Sequence, residues 1–521
     1  MYGHDAARTG TSSCPTAPSP GTVGGLLPRW ALHTADVVTA TPTIVDGVAY
    51  VGDWSGRFYA LDVKTGTQRW AATLGLHRSG KDADRHHGAY GVITSSAAVT
   101  DVGGRRVVLV GAGDSLYALD NGRVLWRTDL DPRHPTNSGE IESSPVVWSG
   151  APGGPVVFVG SDANQDSGYT GEGMWALSVA TGKPIWHFNP ETATHHGLYG
   201  CGNVWSSPAL GLDAGNPDPA RRAVLYFGTA DCPNNSGSTC PTDGSDPYCP
   251  RGTSYNYAKR WSPYSEAIIA VSAVTGRALW SYQGHTPLNQ DDDDFGAPAQ
   301  LFALPDGRRV VGEGNKDGTY TVLDQATGRL IWNHPEVGNG NVQPGLAIGG
   351  FLGATAVMPV GGVPRVFGGS AIDTPISYNP ATAGFSVQPF GTLMRNLTPV
   401  AAFSGVDGAA RWSVPQLYTY APTTAANGVV YIGALDGIMR AYAAATGRLL
   451  WAFPVAAPIS SGAAITDGAI VVGVGTSETD LQFKLCDRVP ASARTLCRST
   501  PLNTTINPLS NLAGVWGFSL G

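Results

Sequence analysis

Short apolar runs that end in glycine recur along the whole chain. Two of them are Val48-Ala-Tyr-Val-Gly52 and Val224-Leu-Tyr-Phe-Gly228, which are rich in β-branched and aromatic residues. Runs of this length and composition, bounded by turn residues, predict β-strands. Glycine (69 residues) and proline (38 residues) are abundant, and charged residues make up only 14% of the chain. This balance predicts an all-β protein dense in turns and argues against helices.

Many of these runs lead into one repeated phrase, Thr-Gly followed by three variable residues and a tryptophan. Clear copies occupy residues 60–70, 176–186, 270–280, 322–332 and 441–451; worn copies end at Trp126 and Trp412, and Trp30 fits the tail of an eighth copy. Glycine supplies the positive φ that a tight turn needs. The tryptophan then falls at a fixed place on the next strand, where it is expected to wedge between neighbouring sheets.

Repeats of this length predict sheets stacked around an axis, because one four-stranded sheet cannot bury both of its faces alone. The eight tryptophans predict an eight-bladed β-propeller that forms one domain over residues 1–521. The last apolar run, residues 514–520, is expected to pair with the segment around Trp30, so that both termini close one blade. Loop insertions that contain cysteines are expected at about 231–262 and 476–510.

Charge and hydropathy exclude two classes of partner. The net charge is −7 and the chain has no basic cluster, which argues against nucleic-acid binding. No apolar run approaches the length of a membrane span. The chain starts at Met1-Tyr-Gly-His-Asp5 without a signal peptide.

The seven cysteines point to an oxidising compartment. Cys486 and Cys497 share one polar loop, where they predict a disulfide. Cys232, Cys240 and Cys249 share another loop, in which either two of them form a second disulfide or the loop binds zinc. Cys14 and Cys201 stand apart, and the odd total leaves one thiol free or with a partner that the sequence does not identify.

The repeat, taken with the opening Tyr2-Gly-His-Asp5, resembles the propellers of pyrroloquinoline-quinone (PQQ) alcohol dehydrogenases, and most of all their polyvinyl-alcohol-dehydrogenase branch. The resemblance spans nearly the whole chain. It implies a secreted or periplasmic quinoprotein that oxidises an alcohol, secondary or polymeric, with PQQ and Ca²⁺. No Cys-x-x-Cys-His haem motif is present, so electrons are expected to pass to a separate acceptor such as a cytochrome or a dye.

The resemblance also implies which residues form the site. Gly200-Cys-Gly-Asn-Val-Trp205 is similar to the family segment whose indole lies under the quinone, which makes Trp205 that floor. Asp231 stands where the family has an asparagine ligand of Ca²⁺, a cation that prefers oxygen donors. Lys316, in Asn315-Lys-Asp-Gly318, would polarise the quinone carbonyl.

The acidic run Asp291-Asp-Asp-Asp294 resembles the family segment that supplies the catalytic base. The register favours Asp292 as the base, close enough to Ca²⁺ to act as a ligand, and Asp294 as the second carboxylate. A bound divalent cation would relieve the repulsion between adjacent aspartates. The plain alternative for the run is a solvated acidic loop.

The chain departs from the family at several contacts. It has no vicinal cysteine pair. Tyr90 falls near the place of the family's arginine, and Ser161 lies in the stretch where the family's calcium-ligand glutamate would fall. Together with Asp373, they are expected to contact the cofactor. Asn164 or Asp162 must replace that glutamate, and Asp373 falls where the family has Asn-Trp.

Two near-copies of one motif allow a different interpretation. His86-His-Gly-Ala-Tyr-Gly91 and His195-His-Gly-Leu-Tyr-Gly200 each precede the predicted inner strand of a blade, at 92–96 and at 204–207. His86, His87, His195 and His196 could bind a transition metal, contact substrate or cofactor, or belong to a shared turn. Glu142 stands at the start of another predicted inner strand and faces either the central channel or a turn.

Three functions therefore remain open from the sequence. The first is the quinoprotein dehydrogenase. The second is a non-catalytic propeller used for protein binding or envelope assembly, since such scaffolds share the repeat. The third is a metal-dependent enzyme that uses the two histidine motifs.

Overall fold

The structure is a computed structural model. It describes residues 1–75, 91–130, 140–162, 171–190, 203–230, 264–284, 293–337, 341–343, 346–347, 349–371, 376–379, 384–387, 398–416, 419–455, 457–475 and 513–521. The predicted insertions at about 231–262 and 476–510 lie outside these residues.

In the described part of the chain the strands form eight blades, as predicted. Blade 1 contains β3 (Thr43–Val45), β4 (Val48–Gly52), β5 (Arg57–Asp62) and β6 (Gln68–Thr73), and blade 2 contains β7 (Ala98–Val102), β8 (Arg105–Ala112), β9 (Ser115–Asp120) and β10 (Arg123–Asp129). Blade 3 contains β11 (Val146–Trp148), β12 (Val156–Ser161), β13 (Gly173–Ser178) and β14 (Pro184–Phe188), and blade 4 contains β15 (Ala209–Leu212), β16 (Ala223–Gly228), β17 (Ala267–Ser272) and β18 (Ala278–Gln283).

Blades 5 to 8 complete the ring. Blade 5 contains β19 (Gln300–Ala303), β20 (Arg309–Gly314), β21 (Thr319–Asp324) and β22 (Leu330–Pro335), and blade 6 contains β25 (Ala356–Val360), β26 (Val363–Gly369), β29 (Thr398–Ser404) and β30 (Ala410–Gln416). Blade 7 contains β31 (Thr424–Ala426), β32 (Val429–Ile432), β33 (Ile438–Ala443) and β34 (Leu449–Pro454), joined by β1 (Thr11–Ser12). Blade 8 contains β35 (Ala464–Thr466), β36 (Ala469–Val474), β37 (Gly514–Leu520) and β2 (Leu26–His33).

Small elements lie in the connections between strands, both between blades and within them. Two hairpins pair β23 (Asn341–Gln343) with β24 (Leu346–Ala347) and β27 (Ile376–Asn379) with β28 (Gly384–Val387), and short 3₁₀ turns span Val23–Gly25 and Pro219–Arg221. No helix in the described residues is long and apolar enough to cross a membrane.

The first strand of each blade lines the axis of the ring. First strands of neighbouring blades contact one another, for example β3 with β7, β11 with β15 and β31 with β35. The ring is closed by strands from the two ends of the sequence: β2 pairs antiparallel with β37, from Leu26 opposite Leu520 to His33 opposite Gly514.

The repeated tryptophans join each blade to the next. Seven indole N–H groups donate to a carbonyl of the following blade at 2.8–3.2 Å: Trp30 to Val63, Trp126 to Val179, Trp186 to Ala273, Trp280 to Gln325, Trp332 to Gly405, Trp412 to Ala444 and Trp451 to Leu26. The ring of each indole packs on apolar side chains, and its one polar atom is satisfied at the interface.

Two structural constraints, a positive φ and a close approach by a tryptophan, require glycine at this position of the repeat. Its φ lies between 69° and 82°, a left-handed conformation that side chains disfavour. A Cβ there would also come within 2.5–3.2 Å of the tryptophan of the preceding blade, at Gly66, Gly122, Gly182, Gly276, Gly328, Gly408 and Gly447. Turn and tryptophan are therefore two halves of one inter-blade contact.

The inner strands begin later than predicted. Residues 92–96 and 204–207 were expected to be strand, but β7 begins at Ala98 and β15 at Ala209. We call the residues just before each inner strand the lead-in segment of that blade. In these segments, backbone N–H groups donate to side-chain hydroxyl groups of the next blade instead of to the backbone of a neighbouring strand. Gly462 N–H donates to Thr41, Thr41 to Ser96, Ser96 to Ser144 and Ser144 to Ser207, at 2.8–3.0 Å.

The N-terminal segment crosses the inner strands of four blades. Backbone N–H groups of Leu210, Leu301, Val357 and Ala425 donate at 2.7–2.8 Å to carbonyls of residues 6, 7, 9 and 10, in that order. The segment then adds β1 to blade 7, parallel to β31. Residues 6–12 thus tie blades 4, 5, 6 and 7 together at the axis.

Arg8 is the centre of this crossing and is fully buried. Its guanidinium donates to the carbonyls of Pro208 at 2.8 Å, Ser144 at 2.6 Å and Tyr2 at 2.5 Å. Burial lowers the pKa of Arg8 to about 10. Its five donors let one side chain satisfy carbonyls of two blades and of the segment itself.

Cys14 is the one cysteine among the described residues, and it is free. The cysteines of the two predicted disulfides lie outside the described residues, as does Cys201.

Candidate active site

The lead-in segments of seven blades repeat one packing contact, which defines equivalent positions around the axis. In seven blades a bulky residue packs where a neighbouring glycine has no side chain: Val38 on Gly473, Ile93 on Gly52, Ile141 on Gly111, Val204 on Gly160, Phe295 on Gly228, Phe351 on Gly314 and Ile459 on Gly433. The next residue in each case belongs to what we call the axial ring: Thr39, Thr94, Glu142, Trp205, Gly296, Leu352 and Ser460. Trp205 and Glu142 thus stand in adjacent blades.

Trp205, Asp294 and Lys316 form one cluster. The Lys316 ammonium lies 2.6 Å from Asp294 Oδ2, and the two side chains are only 12% and 5% exposed. Trp205 Nε1 donates to the same oxygen at 3.1 Å. Lys316 Nζ also lies 5.4 Å from the centre of the Trp205 ring, a cation–π distance. The sequence placed these residues in one site, and the fold brings all three into contact.

Gly296 makes room for the indole. A side chain at this position would overlap the six-membered ring of Trp205. The indole of blade 4 therefore extends across the neighbouring position of the axial ring, and it remains partly exposed. The sequence signal for this space is the glycine two residues after Asp294, whereas the prediction of the site rests only on the aspartates before it.

The turn that carries Lys316 is fixed on both sides. Asn315 Nδ2 donates to the carbonyl of Asp293 at 2.6 Å, and Asn315 Oδ1 accepts from the N–H of Asp317 at 2.8 Å. The backbone N–H of Lys316 donates to the carbonyl of Asp294 at 3.1 Å. Lys316 and Asp294 are therefore held together through both backbone and side chain.

Three carboxyl groups lie on the neighbouring side of the axis. Glu140 and Asp162 exchange backbone hydrogen bonds of 2.8 and 2.9 Å in an isolated bridge. The pKa of Glu142 is raised well above its usual range, first by burial and then by the charges of Glu140 and Asp162, whereas Lys316 lowers it. The acidic groups of blade 3 and the lysine of blade 5 therefore share one electrostatic environment.

Ser161 links the same corner to Trp205 through the backbone. Its carbonyl accepts the N–H of Val204 at 3.3 Å, and its side chain is buried. Residues 161–162 consequently lie against the lead-in segment that carries the indole. A role for Ser161 in binding a cofactor stays a prediction.

The remaining predicted residues lie outside the described part of the chain. They are Tyr90, Asn164, Asp231, Asp292 and Asp373, together with His86, His87, His195 and His196. Within the described residues, no group of three or more His, Cys, Asp or Glu side chains is placed to hold a metal ion. The predicted metal ligands therefore stay predictions.

Two buried acids of this region were missed by sequence analysis. Glu140 is buried beside Asp162. Glu313, on β20, is fully buried against Gly228 and Phe295, and burial raises its pKa well above the usual range. The only sequence signal was an acidic residue within the apolar run Val310-Val-Gly-Glu-Gly314.

The donor set of Trp205 and Lys316 fits a flat, anionic ring. A partly exposed indole face offers stacking, and an adjacent ammonium offers charge. The blade 3 carboxyl groups are oxygen donors of the type that a hard cation prefers, but those in the described residues do not form a metal site by themselves. In such a site Trp205 would stack on the ring and Lys316 would contact its oxygens.

Comparisons with known proteins agree with this architecture. Residues 19–209 match the PQQ family model described as glucose/ethanol/alcohol dehydrogenase, beta-propeller domain. The resemblance inferred from the sequence is confirmed. Polyvinylalcohol dehydrogenase of a Pseudomonas species is 24% identical over an alignment of 518 positions that covers 88% of this chain and 68% of that protein.

Two further proteins extend the comparison. The quinohemoprotein alcohol dehydrogenase of Comamonas testosteroni is 25% identical over an alignment of 512 positions that covers 83% of this chain and 66% of that protein. About a third of each of these two relatives lies beyond the match. The solved structure of quinohemoprotein alcohol dehydrogenase ADHIIG from Pseudomonas putida HK5 covers 100% of this chain at a TM-score of 0.71 and 21% identity, which establishes the shared fold.

Proposed function

We propose that this protein is a quinoprotein dehydrogenase that oxidises an alcohol with PQQ and Ca²⁺. The observation that carries the proposal is the contact of Lys316, Asp294 and Trp205 at the propeller axis. The similarity to alcohol dehydrogenases over most of the chain supports it.

Each residue of the cluster has a chemical task in this proposal. The Trp205 indole orients the flat ring, and the Lys316 ammonium stabilises negative charge that develops on the ring oxygens. Asp292 accepts the proton of the substrate hydroxyl, with Asp294 as the second carboxylate. PQQ, when bound, supplies the site that accepts the two electrons from the alcohol carbon. The buried setting strengthens these electrostatic effects because little water screens them.

The proposal extends to location and partners. We place the protein outside the cytoplasm, secreted or periplasmic, with electrons passed to a separate acceptor. A secondary or polymeric alcohol is the proposed substrate class, which the similarity to polyvinylalcohol dehydrogenase supports.

The two other functions are weaker. A scaffold for protein binding or envelope assembly has no need of a nearly buried lysine between a carboxylate and an indole at the axis. A buried ion pair is often no more stabilising than packed apolar residues of similar volume, so its presence at the axis favours a ligand site over a purely structural role. A metal-dependent enzyme built on the histidine motifs depends on residues outside the described part of the chain.

Reconstitution tests the proposal. The purified protein is mixed with PQQ and Ca²⁺, and alcohol-dependent dye reduction is followed together with the quinone absorption band. Lys316→Met should lower kcat by about 100-fold or more, the usual effect of removing one donor to a developing negative charge. Lys183→Met is the matched control, because Lys183 is exposed on a turn.

Three outcomes would contradict the proposal. Failure of the wild type to bind PQQ or to reduce the dye favours the scaffold. Tight uptake of copper or iron in place of PQQ favours the metal-dependent enzyme. Unchanged kcat in Lys316→Met would show that the site assignment is wrong even in an active dehydrogenase.

A further inference from the structure

Blade 1 carries a turn built like the one that holds Lys316. Residues 53–56 join β4 to β5, as residues 315–318 join β20 to β21. Both turns open with a buried Asp or Asn whose Oδ1 accepts a backbone N–H two residues on, at 3.0 Å for Asp53 and 2.8 Å for Asn315. Both close with glycine in the left-handed region, at φ 88° for Gly56 and 86° for Gly318.

Trp54 occupies the place of Lys316 in this comparison. The backbone N–H of Trp54 donates to Val37 at 3.0 Å, and that of Lys316 donates to Asp294 at 3.1 Å. In each case the acceptor lies in the lead-in segment of the same blade. The two turns therefore lie on the same face of the ring. In an eight-bladed ring, blades 1 and 5 are opposite each other, so Trp54 and Lys316 are on opposite sides of the axis.

The indole of Trp54 is directed toward the axial ring. Its Nε1 donates to Thr39 Oγ1 at 2.8 Å, and Thr39 is the axial-ring residue of blade 1. Gly91 closes the other side, because a Cβ there would overlap the Trp54 side chain. The carbonyl of Trp54 accepts the N–H of Val92 at 3.0 Å. Trp54 is thus fixed between the lead-in segments of blades 1 and 2.

The turn beneath it is rigid. Asp53 is fully buried, and its carboxylate accepts hydrogen bonds from the N–H groups of Ser55, Arg57 and Ala35 at 3.0–3.2 Å. The Tyr59 hydroxyl donates to the same carboxylate at 2.8 Å. Despite this anchoring Trp54 is only partly buried. A fixed, partly exposed indole is pre-organised to pack against a ligand with little loss of side-chain entropy.

We propose that Trp54 is a ligand-contacting residue that forms the wall of the axial pocket opposite Lys316, packing against the flat conjugated ring or the carbon chain beside it. This inference rests on the proposed function, because it takes the ligand to be a planar quinone. An aromatic wall facing a cationic one favours a ligand that is both flat and anionic.

Equilibrium binding tests the inference. PQQ is titrated into the full-length purified protein in the presence of Ca²⁺ and without substrate. The change in quinone absorption gives the Kd of PQQ. Trp54→Leu should raise Kd about tenfold, and Trp54→Phe, which keeps an aromatic face, by no more than about threefold. Trp516→Leu is the matched control, since Trp516 is half-buried on β37, two strands away from the axis-lining β35 of its blade. The Kd of this variant should equal that of the wild type.

A second measurement on the wild type avoids any dependence on how the variants fold. Bound PQQ should lower the rate of oxidative footprinting at Trp54, read by mass spectrometry, and leave the rate at Trp516 unchanged. An unchanged oxidation rate at Trp54, or a wild-type Kd in correctly folded Trp54→Leu, overturns the role proposed for Trp54 and leaves the proposed function standing. Absence of PQQ binding by the wild type overturns the proposed function as well.

Discussion

Lys316 balances the charges of the candidate site. It pairs with Asp294 at 2.6 Å and lies over the Trp205 ring, and its charge lowers the pKa of Glu142. Removal of one member of a nearly buried pair leaves an uncompensated charge, which commonly costs about 3–5 kcal/mol. Variants of this cluster therefore need a stability measurement beside every kinetic one.

Glu336 is a second acidic group near the site whose surroundings shift its pKa, and its backbone contacts the turn that carries Lys316. Its backbone N–H donates to Gly318 at 2.9 Å. A Cβ added at Gly408 would meet His334 Nδ1 at 2.7 Å and Glu336 Oε1 at 3.0 Å, so both side chains lie beside this glycine. Burial raises the pKa of Glu336 to about 7.

This shift makes a prediction about pH. A carboxyl whose pKa is higher in the folded state binds its proton more tightly there, so its stabilising contribution is complete below about pH 4.5 and is lost as pH rises through 7. Glu336→Gln stays neutral, so its free energy of unfolding should exceed that of the wild type by about 1 kcal/mol at pH 8, allowing for solvent screening, with little difference at pH 4.5.

Urea denaturation at pH 4.5, 6, 7 and 8 checks this. Asp467→Asn, at an exposed position, serves as the control. An identical pH dependence in wild type and Glu336→Gln would contradict the prediction.

At the scale of the element, the repeat works as a contact between a turn and a tryptophan. The Thr-Gly turn presents a bare backbone to the indole of the preceding blade and accepts its N–H. Neither half is stable in isolation, because a lone four-stranded sheet leaves a face exposed. The unit that buries surface is therefore the junction between blades.

Gly328 tests this junction. Its φ is 71°, and an added Cβ would lie 2.6 Å from the Trp280 ring. Gly328→Ala should destabilise the protein by about 2–4 kcal/mol, the sum of backbone strain and displaced packing. The measurement is the denaturation midpoint in urea.

Gly307 provides the matched control. Its φ is 87°, and an added Cβ would meet nothing within 4 Å. Gly307→Ala should cost only about 1 kcal/mol, from the left-handed backbone alone. Equal losses in the two variants would show that the tryptophan contact contributes nothing beyond the turn.

The repeat could be predicted from the sequence because its parts are local: glycine for a positive φ and tryptophan at a fixed spacing. Trp205, Asp294 and Lys316 were predicted through a family resemblance. Their mutual contact depends on blades that are far apart in the sequence. Arg8 gave no signal at all, because one basic residue in a polar segment does not indicate that its partners lie 136 and 200 positions away.

At the scale of the whole molecule, residues 6–12 act as a brace across blades 4 to 7. The inner strands are short and meet their neighbours at few points, so added bonds at the axis matter. Gln300 completes the brace, since its side-chain amide donates to the carbonyls of Arg8 at 2.9 Å and Thr355 at 2.6 Å.

Arg8→Met should therefore destabilise the fold by about 3 kcal/mol, because it leaves buried carbonyls of Ser144 and Pro208 without donors. Arg8→Lys should recover less than half of the loss, since one ammonium cannot reach carbonyls that lie in different directions. Thermal and urea unfolding measure both variants, with Arg329→Met as an exposed control. Wild-type stability in Arg8→Met would show that the brace is dispensable.

Closure of the ring between β2 and β37 has a consequence for folding kinetics. Arg29 bonds to Ser519 across 490 positions, and Trp451 reaches Leu26 across 425. A chain with such distant partners has a high contact order, and its closing step carries a large loop entropy. Residues 26–33 leave the ribosome long before residues 514–520, with which they pair. The interval leaves unpaired strand edges that need protection from aggregation.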